Sequence, residues 1–207
     1  MFISEKKYKL TDETIIYEGR ILRRIEALKD LSDVKKGDKG GFVENENNLS
    51  QKDNCWIYNN AKVYGDARVL INARVCDDAI VCGNARIYGD AMIYNNALVY
   101  GNAEIYGESI VCGNAMVYGN TEMYGNANVF GNAKVYDNAL VFDNAVVCGN
   151  AIVFGNAMVY ERARVYDNAC VTDNSKICGI AHINGYAKVC GNERVINKKN
   201  KYNESLY

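Results

Sequence analysis

Aliphatic side chains recur at every sixth residue along most of the chain. The series begins at Ile57, ends at Val195 and holds Val or Ile at every step except Met123. A small residue, Ala with few exceptions, follows four positions after each aliphatic residue from Ala61 to Ala187. A spacing of six drifts around a helix of 3.6 residues per turn, so these residues cannot form one helical face. The repeat therefore predicts short strands separated by regular corners.

Side-chain alternation along a strand assigns a direction to each position of the hexad. In Ala97–Tyr100, Ala97 and Val99 point to one side and Leu98 and Tyr100 to the other. The Gly-Asn pair that usually follows tolerates a positive φ, which a sharp corner requires. Three hexads close a triangle of 18 residues, so the 24 hexads predict an all-β, parallel β-helix of about eight coils, stacked about 4.8 Å apart.

Composition and charge narrow the possible classes of function. The 207 residues hold 24 Lys and Arg against 25 Asp and Glu, so general nucleic-acid binding and polybasic membrane attachment lack an electrostatic driving force. No apolar run of transmembrane length and no signal peptide occur, which predicts a cytoplasmic protein. His182 is the only histidine and no C-x-x-C motif occurs, so neither a metal site nor a cofactor is predicted.

The hexads leave a segment at each end of the chain. Residues 1–50 are predicted to form a small N-terminal β cap, residues 51–196 the hexapeptide-repeat β-helix, and residues 197–207 a polar C-terminal tail. A cap is needed because an end coil exposes its apolar lumen and its unpaired strand edge.

The cap segment contains three runs that are typical of short strands: Lys7–Leu10, Ile15–Glu18 and Ile21–Leu28. Alternation in the last run predicts that Ile21 and Ile25 share its apolar face.

The hexads, written [LIV]-x-G-N-A-x, resemble the hexapeptide-repeat, left-handed β-helix superfamily over residues 57–195. Ahead of them, Asp33–Val43 reads D-V-K-K-G-D-K-G-G-F-V, followed by N-L-S at Asn48 and N-C-W-I-Y at Asn54. This arrangement is similar to the YdcK-like proteins of enterobacteria and to many phage and prophage proteins. The resemblance implies left-handed coils and a phage or prophage origin, with no settled activity; a phage-encoded copy would reside in the host cytoplasm.

The superfamily also contains trimers and acyltransferases. The resemblance implies a homo-oligomer, with a trimer favoured. Superfamily acyltransferases use a His as general base near a loop that projects from a coil, which makes His182 the candidate catalytic residue of an acyltransferase relative. No loop interrupts the register between Ile57 and Val195, and Ser109 and Ser175 are predicted to point inward. We therefore predict no catalytic constellation.

The outward positions fall on three faces when they are sorted by the 18-residue coil. Each coil gives each face one residue before the inward aliphatic residue and one after it. The faces are defined by these pairs: face one, Trp56/Tyr58, Arg74/Cys76, Met92/Tyr94, Ile110/Cys112, Asn128/Phe130, Val146/Cys148, Arg164/Tyr166 and His182/Asn184; face two, Lys62/Tyr64, Ile80/Cys82, Leu98/Tyr100, Met116/Tyr118, Lys134/Tyr136, Ile152/Phe154, Cys170/Thr172 and Lys188/Cys190; face three, Arg68/Leu70, Arg86/Tyr88, Glu104/Tyr106, Glu122/Tyr124, Leu140/Phe142, Met158/Tyr160, Lys176/Cys178 and Arg194/Ile196.

Face two combines aromatic residues with outward aliphatic residues. Aromatic ladders stabilise neighbouring strands by themselves, so a purely structural rod is an open alternative. A monomer, however, rarely leaves a large contiguous apolar patch exposed. The pattern favours a self-association surface, whose candidate residues are Ile80, Leu98, Tyr100, Met116, Tyr118, Ile152 and Phe154.

Basic and aromatic side chains gather near the cap. Guanidinium groups beside aromatic rings suit an anionic, planar ligand, and the prophage resemblance suggests a signalling nucleotide by analogy. An ion pair between Arg86 and Glu104 is the alternative interpretation. The candidate ligand-binding residues are Trp56, Arg68, Arg74, Arg86 and Tyr88.

The predicted function is that of a non-catalytic, oligomeric binding or interaction module, with sequestration of a small anion as its candidate activity. An acyltransferase relative and a structural rod are the alternatives. The cysteines do not change this picture, because Cys76, Cys112 and Cys148 lie two coils apart, beyond disulfide distance. We expect free thiols, as in a reducing cytosol.

Overall fold

The hexads form two-residue strands that stack into three parallel sheets. In the computed structural model, which describes residues 6–197, each strand pairs in register with the strand 18 residues later, as Val99 does with Val117. Two sheets hold eight strands, and the third continues through nine parallel strands. The parallel β-solenoid predicted from the hexads is thus confirmed, with about nine turns instead of about eight. Its left-handedness stays a prediction.

Each face of the solenoid corresponds to one sheet. The solenoid strands are, on face one, β4 Trp56–Ile57, β7 Arg74–Val75, β10 Met92–Ile93, β13 Ile110–Val111, β16 Asn128–Val129, β19 Val146–Val147, β22 Arg164–Val165 and β25 His182–Ile183; on face two, β5 Lys62–Val63, β8 Ile80–Val81, β11 Leu98–Val99, β14 Met116–Val117, β17 Lys134–Val135, β20 Ile152–Val153, β23 Cys170–Val171 and β26 Lys188–Val189; and on face three, β6 Arg68–Val69, β9 Arg86–Ile87, β12 Glu104–Ile105, β15 Glu122–Met123, β18 Leu140–Val141, β21 Met158–Val159, β24 Lys176–Cys178 and β27 Arg194–Ile196.

The lumen is filled by the inward residues that the period of six identifies. All of the aliphatic positions from Ile57 to Val195 are buried, and so are the small residues between them. Cys55, Ser109 and Ser175 are also completely buried, as their inward positions predict. The core is therefore a narrow column of aliphatic and methyl side chains that runs the length of the solenoid.

Corners close because each coil lies directly on the next. Gly101 has a φ of +72°, and a Cβ built on it would lie 2.9 Å from the backbone nitrogen of Gly119 in the next coil. Asn102 follows, and its side-chain amide donates to Asn120 Oδ1 at 2.9 Å. Such amide ladders link successive coils along the corners and hold their register.

Three longer strands and one short helix close the N-terminal end: β1 Tyr8–Tyr17, β2 Arg20–Ala27, β3 Lys39–Val43 and the 3₁₀ helix Glu46–Asn48. Strands β1, β2 and β3 are antiparallel neighbours, whereas β3 pairs with β5 in parallel. The segment from β3 to Leu49 therefore forms an incomplete first coil under the hexads. In β2 the burial differs from the alternation prediction, because Leu22 is buried and Ile21 is 61% exposed.

The spacing of Gly40, Gly41 and Asn48 in the cap motif has a steric and a hydrogen-bonding cause. A Cβ on Gly40 or Gly41 would lie 2.5 Å from a backbone oxygen of the coil above, so only glycine allows this approach of β3. Asn48 is completely buried, and its side-chain amide donates to the carbonyls of Gly65 and Ala67, both at 2.9 Å. Asn48 thereby replaces the backbone donors of a missing coil.

Most residues of the predicted C-terminal tail lie outside the described part of the chain. Of the predicted tail, residues 197–207, only Asn197 lies within the described residues.

Candidate functional site

Face two carries a continuous aromatic ladder beside an aliphatic column. The rings of Tyr100, Tyr118, Tyr136 and Phe154 stack with centroids 4.6–4.9 Å apart and planes within 8°. Next to them, Leu98 pairs with Ile80 on one side and with Met116 on the other, and Ile152 follows after Lys134. The seven candidate interface residues are thus brought onto one surface, and each is partly exposed.

The cap covers the first part of face two. Leu22, Phe42 and Tyr64 form a small buried cluster, against which Ile80 packs. The Tyr64 hydroxyl donates to Glu18 Oε2 at 2.9 Å. Burial, aided by nearby acceptors, raises the pKa of Tyr64. The cap therefore uses part of the apolar surface of Ile80, and the exposed stretch of face two lies beyond it.

Face three places three of the predicted ligand residues together. Arg68 and Arg86 are register partners in β6 and β9, and the Arg86 guanidinium lies 6.0 Å from the ring centre of Tyr88. Glu104, in the next coil, contacts both Arg86 and Tyr88. Its Oε1 lies 3.5 Å from Arg86 Nη1, and its Oε2 accepts from the Tyr88 hydroxyl at 3.1 Å. Burial and this hydrogen bond raise the pKa of Tyr88 to about 12.

The predicted ion pair between Arg86 and Glu104 is therefore present. Arg68 is exposed and forms no ion pair within residues 6–197, which makes it the uncompensated cation of this cluster.

The other two predicted ligand residues lie on face one, under the cap. Trp56 is in register with Arg74, but it is only 1% exposed, and its ring meets that of Tyr8 edge-on at 6.2 Å. Arg74 Nη1 lies 3.5 Å from Asp33 Oδ2, and Asp33 also accepts from the Tyr58 hydroxyl. Trp56 is thus a packing residue whose ring faces are not available for stacking. Arg74 instead lines a polar cavity of about 320 Å³ with Ser32, Asn54, Asn72, Asp90 and Met92.

A second cavity on face one was not predicted from the sequence. It has a volume of about 330 Å³ and is lined by Phe130, Val146, Cys148, Arg164, Tyr166 and His182. His182, the candidate base, meets the ring of Tyr166 edge-on at 6.0 Å, and the Tyr166 hydroxyl accepts from Asn184 Nδ2 at 2.9 Å. Burial raises the pKa of the Cys148 thiol, Asp167 adds to this shift and Arg164 opposes it.

The sequence does contain a signal for this cavity. The second outward column of face one alternates between an aromatic residue and cysteine in successive coils, as in Phe130, Cys148 and Tyr166. Cysteine recurs in this column every 36 residues, at Cys76, Cys112 and Cys148, and each cysteine interrupts the aromatic ladder of face one.

The remaining titratable groups and thiols form no further site in the described residues. Residues 6–197 contain no group of three His, Cys, Asp or Glu side chains that could hold a metal ion, and no helix in this range is long and apolar enough to cross a membrane. All eight cysteines are free thiols. Lys7 is buried, and its ammonium group donates to the carbonyl of Cys55 at 2.9 Å and to its sulfur at 3.2 Å, so it fastens the cap to the first coil.

Comparison with known proteins concerns the solenoid. Residues 85–101 and 133–149 match the family described as the YdcK β-solenoid repeat. A protein of Escherichia coli (strain K12), the uncharacterized acetyltransferase YdcK, is 36% identical over 61 residues, which is 26% of this chain and 19% of that protein. The chain thus aligns with about a fifth of the length of this relative. The resemblance to YdcK-like proteins is confirmed.

The matched YdcK-type segments contain residues that build the fold. Their inward positions are the aliphatic and Ala residues of the lumen, most of their outward aromatic residues belong to the stacked ladders, and neither segment contains a histidine. The match therefore supports a shared solenoid fold more than it supports a shared catalytic chemistry.

Proposed function

We propose that this chain is a non-catalytic β-solenoid module that associates with further copies of itself through face two. The observation that supports the proposal is the partly exposed column of Leu98, Met116 and Ile152 beside a stacked aromatic ladder. On face three the same outward column carries mainly charged residues, from Arg68 and Arg86 to Lys176 and Arg194. The two faces share one backbone geometry, so the difference in side chains points to different surroundings.

The exposed stretch of face two has the size of a small interface between two copies. Its six coils, from Leu98 to Cys190, are spaced about 4.8 Å apart and with four extended residues across give roughly 400 Å². Two such surfaces bury about 800 Å² in total, which is the size of a weak or transient association. Tyr and Met are also enriched at the centres of such interfaces.

The test is the oligomeric state of charge variants. Leu98→Glu and Met116→Glu place a carboxylate in the centre of face two while the inward residues stay unchanged, so both variants should sediment as smaller species. Leu140→Glu is the matched control, because Leu140 has the equivalent position on face three and is also partly exposed. Wild type and both face-two variants sedimenting with the same mass would rule out this interface.

The second part of the proposal is binding of a small anion, such as a signalling nucleotide, at the cap-proximal cluster of Arg68, Arg86 and Tyr88. Because Glu104 already neutralises Arg86, Arg68 supplies most of the available positive charge. Calorimetry with nucleotides and cyclic dinucleotides should show salt-sensitive binding that Arg68→Ala weakens. Equal affinities of wild type and variant would remove the ligand from this cluster. A phage or prophage origin and a location in the host cytoplasm belong to the same proposal.

Acetyl transfer is the second candidate function, favoured by the name of the E. coli relative and by the position of His182 in a cavity. Transfer from acetyl-coenzyme A that is abolished by His182→Ala would establish it in place of the non-catalytic module.

A further inference from the structure

The aromatic ladder of face one is interrupted where those of faces two and three are continuous. On face three, Tyr88, Tyr106, Tyr124, Phe142 and Tyr160 occupy successive coils, with centroids 4.8–5.2 Å apart. On face one, a cysteine occupies every second coil, so that Cys148 lies between Phe130 and Tyr166. Cysteine has no ring, so one rung of the ladder is missing at this position.

The missing rung leaves a gap of the size of one aromatic ring. Phe130 and Tyr166 are two coils apart, which is about 9.6 Å for a coil spacing of about 4.8 Å. A planar ring placed midway would lie about 4.8 Å from each coil level, the spacing that the continuous ladders show and that aromatic pairs prefer. The cavity of about 330 Å³ over Cys148 is the space that results. This volume is in the range of small-molecule sites.

One side of this gap is cationic. Arg164 lies in register with Val146 below and with His182 above, and it is exposed and forms no ion pair with a carboxylate in the described part of the chain. The two acidic residues three positions away in sequence bond to backbone nitrogens of the next coil: Asp167 accepts from Gly185 at 3.1 Å, and Glu161 accepts from Gly179. A guanidinium without an acidic partner beside an apolar gap is suited to an anionic group carried by a flat ring.

The two other interruptions of the ladder have no free cation beside them. At Cys76, the neighbouring Tyr58 and Arg74 both contact Asp33 of the cap. At Cys112, the outward residue two positions earlier is Ile110, which carries no charge. Only the gap at Cys148 combines open space with an uncompensated cation.

We propose that the gap between Phe130 and Tyr166 is a binding site for a planar aromatic molecule that carries an anionic group. The ring takes the place of the missing rung over Cys148, and the anionic group contacts the Arg164 guanidinium. Val146 forms the apolar floor beside the thiol, and His182 borders the charged side. This site is on another face than the proposed self-association surface and does not depend on it.

Filling the gap tests the position of the ring. The probe is 2-naphthoate, a flat bicyclic carboxylate, titrated by calorimetry. Cys148→Tyr completes the ladder from Phe130 to Tyr166 and should abolish binding. Cys112→Tyr, which adds the same side chain two coils away, should leave the affinity unchanged. Absence of binding to wild type at millimolar probe, or equal affinities in wild type and Cys148→Tyr, would overturn the proposal.

Removing the cation tests the role of the charge and does not depend on whether Cys148→Tyr folds. Arg164→Gln should weaken 2-naphthoate binding roughly tenfold, because a charge-assisted contact is lost, and should leave binding of the neutral 2-naphthamide unchanged. Lys176→Gln, which removes an exposed cation on face three, should change neither affinity. Equal weakening of acid and amide by Arg164→Gln would show that the guanidinium does not recognise the anionic group.

Discussion

The stability of the solenoid end depends on one buried amide. The Asn48 side chain donates to the carbonyls of Gly65 and Ala67, and its Oδ1 accepts from the backbone nitrogens of Glu44 and Asn45 at 3.1 and 2.9 Å. Higher in the solenoid, Gly101 O accepts instead from the backbone nitrogen of Asn84. Asn48→Ala should therefore leave two carbonyls at the lower edge of the first complete coil, those of Gly65 and Ala67, without these donors.

The expected cost follows from the groups that lose a partner. Glu44 N retains a second bond, to Val63 O at 3.2 Å, whereas Gly65 O, Ala67 O and Asn45 N lose the bonds described above. At about 1 kcal/mol for each group, and more for the most buried one, the free energy of unfolding should fall by about 3–4 kcal/mol. For a protein of this size that corresponds to a decrease in Tm of roughly 6–16 °C.

The measurement is thermal or guanidinium unfolding combined with hydrogen exchange. Because a solenoid can open from one end, lost protection should be concentrated between Lys39 and Val69. Asn138→Ala is the control: Asn138 also bonds to its neighbours in the adjacent coils, Asn120 and Asn156, but it is exposed, so its loss should cost about 0.5 kcal/mol or less. If Asn48→Ala and Asn138→Ala had the same effect, the cap amide would not be the support that its geometry indicates.

Two further perturbations address the lumen and the thiols. Val117→Asp should prevent folding, since it places a carboxylate without a partner among the buried Val99 and Val135; circular dichroism and a melting curve that match wild type would refute the inward assignment. Burial raises the pKa of the Cys76 thiol to about 11, so at pH 9 only about 1% is thiolate and its alkylation should be much slower than that of the exposed Cys190. Peptide mapping by mass spectrometry after timed iodoacetamide treatment measures both rates, and equal rates would contradict the assigned environment of Cys76.

The period of six predicts the fold wherever a strand lies between two other hexad strands. The burial of Val117 and the register of Arg86 with Glu104 follow from position in the coil alone, because the neighbours are fixed by the repeat. The same arithmetic places Trp56 outward but cannot show that Tyr8 covers it, since the path of the cap is not periodic. In β2 the simple alternation also fails, because the pairing of β2 with β1 and with β3 each contains a register shift. With these shifts, Leu22 points inside and Ile21 outside.

The cavity at Cys148 was accessible to sequence reasoning only in part. The alternation of ring and cysteine on face one can be read from the hexads, whereas the open space depends on how the side chains of adjacent coils are placed. Arg164 has an acidic neighbour in sequence, Asp167, but the structure directs that carboxylate to the Gly185 backbone. Which charges are compensated is thus decided by contacts between coils.

The unbroken 18-residue register makes the length of this molecule adjustable in whole steps. Each coil contacts only the coil before it and the coil after it, and the inward column has the same composition throughout. Removing residues 103–120, or duplicating them, would join strands that already have matching partners, and it would shorten or lengthen the rod by about 4.8 Å. Unequal recombination within such a repeat can therefore change the distance between the two ends without redesigning either end. The number of coils therefore sets the distance between the two ends of the solenoid, and selection can change that distance in steps of one coil.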